Sequence, residues 1–298
     1  MEFLSEKIWL PREKSHHQRL HHHLCSYLED RQANRKHPIR DFLFDYYSFR
    51  PSHLLRWSPG PEVKLEGPSA LKFLARKEFR LNTEPHPTVS LNPTLISERR
   101  YESLQWIHSL LQATVQRPPQ FGCFGLHEWA MVYQTDQVRH QSQPLRLSPE
   151  KIAATLEEAK IHCSHFDAFR FFTPPARPLN QLQPAADSRL DLEQRGCLHV
   201  NMDLYKWAYK LHPWIESELL ADCFFLAWDI REIDMRASPY DFSAEGFPAI
   251  PIETPEGRTE YEEHQFALAE RAQPLRQKLI LAYARMIEWR KKLQLAVP

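Results

Sequence analysis

The sequence predicts a mainly α-helical protein, one large domain over residues 1–298 with long proline-rich irregular loops and little or no β-sheet. Three observations carry this expectation. Apolar residues recur at intervals of three and four along most of the longer segments, the spacing of a helix with one buried face. The chain has 24 prolines and only 7 glycines, a composition of helices joined by stiff loops rather than of hairpins or glycine-rich phosphate loops. No internal repeat or low-complexity tract interrupts it. A dinucleotide-binding fold is therefore not expected.

Taken in order, residues 13–33 place Leu20, Leu24, Tyr27 and Leu28 on one side of a helix that Lys36-His37-Pro38 ends. The apolar stretch DFLFDYYSF (41–49) runs to Arg50-Pro51 and on to the turn Ser58-Pro59-Gly60. Residues 68–79 read as a short helix, and 81–94, with Pro85, Pro87 and Pro93, as an extended surface connection. Over 95–116, Tyr101, Leu104, His108, Leu111 and Val115 define a helix that stops before Pro118-Pro119. Ser148-Pro149-Glu150 is a capping serine with proline at the first helical position, so a helix is expected over 149–160.

HFDAFRFF (165–172) suits a strand or a buried aromatic segment. The loop PPARPLNQLQPAADS (174–188) is where the domain would divide, into 1–173 and 189–298. Helices follow over 200–212, 214–236 and 275–293, the last through Leu275, Leu279, Ala282, Met286 and Trp289. The excursion between them, 236–258, is long for a loop without a function.

Charge narrows the function classes. Lys plus Arg and Asp plus Glu both number 38, so no global basic excess draws the chain to nucleic acid or an anionic membrane, and any polyanion site must be local. No apolar run is long enough to span a bilayer and the N-terminus lacks a signal-peptide pattern, so a soluble cytoplasmic protein without a membrane partner is expected. The five cysteines are scattered and never form C-x-x-C, which excludes a disulfide scaffold and a zinc ribbon.

Four constellations could carry chemistry. FGCFGLHEWAMVY (121–133) spends two glycines in four residues before His127 and Glu128, with a helix expected from Leu126. Adjacent helical residues diverge by about a hundred degrees, so His127 and Glu128 face one ligand only with help from another element. His199 and Asp203 lie four apart in HVNMD, one face of a helix and a spacing that suits two metal ligands or a histidine oriented by a carboxylate. The bland alternative makes Asn201 the helix cap and His199 a packed bystander. IHCSHFD adds His162, Cys163, His165 and Asp167; in a strand His165 and Asp167 would share a face with Cys163. The histidines of HHQRLHHH read as a solvated helix face. Arginine–aromatic clusters at 46–57, 138–146 and 234–242 offer Arg139, His140, Arg236 and Tyr240, with Trp129, for a nucleotide or flipped-base pocket, buried arginine–carboxylate pairing being the alternative.

The strings HPIRDFLFDYYSFRPSHLLRWSPG, FGLHEWAMVY, HVNMDLYKWAYKLHPWIESELLADCFFLAWDIREIDMRASPYD and IETPEGR resemble a bacterial family commonly labelled 3-methyladenine DNA glycosylase, over nearly the whole chain. The resemblance implies a DNA-repair hydrolase that flips an alkylated base between aromatic rings, with Trp129 or Tyr240 stacking it and Asp203, Asp234 or Glu128 supplying the carboxylate. Three readings therefore stand. The first is a pocket enzyme acting on a nucleobase-like substrate, with Glu128, His127, His199 and Asp203 as catalytic candidates. The second is a metal-dependent oxidase or hydrolase built from His127, His165, His199 and Asp203. The third is a non-catalytic binding or assembly protein.

Overall fold

The computed structural model describes residues 1–136 and 143–295. Helices take 58% of the chain and a small four-stranded sheet 8%, the mainly α architecture that the periodicity predicts. The elements are β1 (Glu2–Leu4), α1 (Glu6–Gln32), α2 (Phe42–Asp45), α3 (Pro51–Leu54), β2 (Val63–Glu66), β3 (Phe79–Asn82), β4 (Thr88–Leu91), α4 (Glu98–Gln116) and α5 (Leu126–Ala130). They continue with α6 (Pro149–Glu158), α7 (Phe166–Phe169), α8 (Arg189–Leu192), α9 (Leu198–Leu211), α10 (Ser217–Arg236) and α11 (Pro255–Leu295). Among the described residues no helix is long and apolar enough to cross a membrane.

The chain forms two compact units, each assembled from separate segments: 1–108, 205–225 and 275–298 in the first, 109–204 and 226–274 in the second. The changes from one to the other fall within α4, α9, α10 and α11, the last at Pro274. The proline-rich loop 174–188 lies inside the second unit and marks no division between the two.

In the first unit the sheet runs β1-β2-β4-β3, with β1 parallel to β2 and the other pairs antiparallel. The segment 81–94, expected as a connection, instead supplies the end of β3 and all of β4. Thr88, Val89, Ser90 and Leu91 are all buried, whereas Pro85 and Pro87 sit in the hairpin loop, where no ladder N–H is needed. The residues expected as a short α-helix form a 3₁₀ segment, Pro68–Ala75. Trp9 anchors the core here. It stacks on Trp57 at 6.2 Å, meets Phe73 edge-on at 5.7 Å and donates its indole N–H to Glu66 O at 3.0 Å. Helix α1 begins ahead of Pro11 rather than after it, which brings Trp9 into this cluster at the cost of one intrahelical hydrogen bond.

The second unit holds the candidate site. Ser148 caps α6, its hydroxyl accepting from Lys151 N at 3.4 Å. Residues 165–172 do not make a strand: His165 is extended, and Phe166–Phe169 is a single helical turn whose Phe169 packs on Phe172 at 5.0 Å. Around it Leu156, Leu198, Ile230, Trp129, Tyr240 and Phe242 are buried to 2% exposure or less. Each such side chain contributes about 1.5–3 kcal/mol by leaving water.

His212, in the first unit, donates its ring Nε2–H to Arg56 O at 3.0 Å. Burial and the nearby Arg76, His53 and His16 push its pKa down to about 3. An unfolded histidine titrates near 6.5. The folded state therefore binds fewer protons than the unfolded state between these values, and stability falls as pH drops from about 6.5 toward 3. Urea midpoints measured at pH 7.5 and pH 5 should show this loss, and His212→Asn should flatten it; an unchanged slope in the variant would assign the pH dependence elsewhere.

Candidate metal centre

The stretch FGCFG bends the chain sharply before α5. Gly122, Phe124 and Gly125 have φ of 94°, 45° and 67°, and Gly125 is the left-handed residue from which α5 starts. A side chain at 125 would be held in a conformation that only glycine adopts without strain. The bend delivers His127 and Glu128 into the interior, 6% and 4% exposed. On α10, Arg231 and Asp234 are three apart and follow Ala227 along the buried face, 1% and 0% exposed. From α9, His199 completes the group with 12% of its side chain exposed.

Arg231 binds the two carboxylates together. One guanidinium nitrogen donates to Glu128 Oε1 at 3.0 Å and to Asp234 Oδ2 at 2.8 Å. His127 Nε2 is 3.1 Å from Asp234 Oδ1 and 3.9 Å from Glu128 Oε1, while His199 Nε2 is 3.8 Å from Asp234 Oδ2. The rings of His127 and His199 meet edge-on at 4.1 Å. One ligand atom from each of His127, His199 and Asp234 lies within 4.8 Å of the others. His127 and Glu128 diverge as neighbours on a helix must, yet both reach this group because α10 presents Arg231 and Asp234 to them.

The geometry between His127 and Asp234 is informative. Their atoms are close enough for a hydrogen bond, but the imidazole N–H is not directed at the oxygen, and both atoms are buried without a hydrogen-bond partner. Two atoms bound to one ion at about 2.0–2.2 Å stand about 2.9–3.6 Å apart and point at the ion rather than at each other. The 3.1 Å separation falls in that range, whereas the 3.8 Å from His199 Nε2 to Asp234 Oδ2 lies just outside it.

The charge of the group closes in either of two ways. Among the described residues of the group, Glu128 and Asp234 carry two negative charges and Arg231 one positive, leaving one negative charge in the interior. Burial opposes a charge on His127, but Asp234 and Glu128 outweigh it and raise the imidazole's pKa. Burial and the neighbouring His127 drive the pKa of His199 well below the usual value. Burial would raise the pKa of Asp234, but His127, His199 and Arg231 hold it well below the carboxylate range. Without a cation, a protonated His127 completes the balance; a bound cation would do so in its place.

A second group adjoins the first. His165 Nε2 is 3.3 Å from Asp203 Oδ2, Arg189 Nη2 is 3.4 Å from the same oxygen, and Asp167 lies close enough to share an ion with His165 and Asp203. Its histidine lies 5.5 Å from the His199 ring. His199 and Asp203 are thus one helical turn apart on α9, but each belongs to a different group.

Beside both imidazoles is a cavity of about 20 Å³, lined by His127, His199, Cys123, Cys163, Cys197 and Tyr261. It has room for one water-sized body. Burial raises the pKa of all three thiols, that of Cys163 to about 12, so they are neutral groups rather than thiolate nucleophiles.

His162 also lines this cavity, whereas Trp129, Tyr240 and Arg236 do not. Trp129 is fully buried, donating its indole N–H to Ala237 O at 2.9 Å beneath the Arg146 guanidinium. Tyr240 is 1% exposed. Arg236 donates to Pro248 O at 2.9 Å and reaches Glu260 at 3.5 Å. Arg139 and His140 lie outside the described residues. Reading the sequence missed Arg231 and Tyr261 and placed Asp234 outside the metal set; the available signal was a charged pair, Arg231 and Asp234, continuing the apolar row of α10. No known protein family, curated protein or solved structure matches the chain.

Replacing Arg231 with methionine should destabilise the protein by about 3–5 kcal/mol, because Glu128 and Asp234 would remain buried without their shared cation. Equilibrium urea denaturation checks this, and a loss below about 1 kcal/mol would show that the carboxylates do not depend on Arg231.

Proposed function

We propose that the chain is a metal-dependent enzyme whose centre is a mononuclear site of His127, His199 and Asp234. The observation that carries this reading is the buried 3.1 Å approach of His127 Nε2 and Asp234 Oδ1 without a hydrogen bond, with the His199 imidazole completing the set. Two imidazoles and a carboxylate suit zinc and iron(II), whose binding would displace the His127 proton. The adjacent cavity supplies the open position that a catalytic metal needs.

Glu128 and Arg231 have supporting roles. Arg231 fixes the orientation of Asp234 through its second oxygen, leaving Oδ1 toward His127. Zinc in this set would make a hydroxide for hydrolysis at neutral pH; iron(II) would bind and activate dioxygen. The geometry favours these chemistries over base excision, since a flipped base needs an accessible ring to stack on and Trp129 and Tyr240 are 0% and 1% exposed.

Elemental analysis of untagged protein tests the proposal and reads the metal in one measurement. The expected result is about one zinc or iron per chain, falling at least tenfold in His199→Gln, with a thermal midpoint that drops on chelation. Less than a tenth of a metal per chain, unchanged by supplementing the growth medium, would overturn it.

A further inference from the structure

Two hydroxyls line the same cavity with no hydrogen-bond partner: Tyr261 OH, on a residue fully buried in α11, and Ser164 Oγ, on a residue 3% exposed. Buried hydroxyls are almost always paired, so two orphans around one water-sized space call for a common acceptor. The Cys123 thiol beside Tyr261 offers its hydroxyl a weak sulfur contact at most. The three thiols of the lining are weak hydrogen-bonding groups. Tyr261 and Ser164 are therefore the hydroxyl donors of a wall that also holds His162 and Gln194, and both hydroxyls are free to turn toward an anion or an oxygen atom.

Resting on the metal reading, we infer that Tyr261 and Ser164 hold the exogenous ligand of the centre, a water-sized hydrogen-bond acceptor such as hydroxide or one oxygen atom of a substrate, seated between their hydroxyls and the His127 and His199 imidazoles. The site thereby selects an oxygen-donor or small anionic group and excludes bulkier or apolar ligands, because the space is about 20 Å³.

The probe is fluoride, a water-sized acceptor, titrated into cobalt(II)-loaded protein and followed through the visible absorption of the metal. Wild type should bind fluoride at the metal. Tyr261→Phe and Ser164→Ala should each retain one cobalt per chain and a native thermal transition while losing about tenfold or more in fluoride affinity, the effect of removing one hydrogen bond to an anion. Cobalt bound normally with no spectral response to fluoride, or with equal affinity in all three proteins, would overturn this inference and leave the metal centre standing. Failure of wild type to take up cobalt would overturn the metal centre and this inference with it. Ser164→Ala removes one small atom and keeps the test decisive should Tyr261→Phe fail to fold.

Discussion

The second unit depends on one guanidinium. Arg231 is 1% exposed and bridges Glu128 and Asp234 at 3.0 and 2.8 Å, so it decides where two buried carboxylates point. A carboxylate in such a place would ordinarily be driven to its neutral form. Here it stays charged, and its remaining oxygen is turned toward an imidazole. Everything the site can do follows from that: an ionised Asp234, a His127 whose charge depends on Asp234, and a His199 kept neutral by burial and by the neighbouring His127.

We propose that this arrangement holds a cation. A network satisfied by its own protons would align the His127 N–H with Asp234, since a buried donor and acceptor left unmade cost about 1–3 kcal/mol each. The two atoms are instead adjacent and unaligned, and the orphan hydroxyls of Tyr261 and Ser164 face the neighbouring cavity. The adjoining His165–Asp203 pair shares Arg189 with Glu193 and packs its ring against His199.

Much of the fold was legible because it rests on local chemistry. The Ser148 cap, the three-and-four spacing of α4 and the apolar face of α9 each depend on residues within a turn or two of one another, and the structure follows them. The strands around Pro85 and Pro87 were hidden because prolines that belong to a hairpin loop resemble those of an irregular connection. His127 and His199 were legible as candidates by residue type. Their partner was not, because helical spacing tied His199 to Asp203 on its own element, whereas the tertiary fold gives it Asp234 from α10. Spacing reports which residues share a face, and only the packing of α5, α9 and α10 reports which faces meet. The charged row of Arg231 and Asp234 in an apolar helix was the one trace in the chain of that meeting.

The most direct measurement is anomalous diffraction from crystals grown with zinc or cobalt. A metal bound as described gives an anomalous peak about 2.0–2.3 Å from a ring nitrogen of His127, a ring nitrogen of His199 and a carboxylate oxygen of Asp234. No peak within bonding distance of these three residues, with anomalous density only at the exposed histidines of α1, would contradict the metal centre.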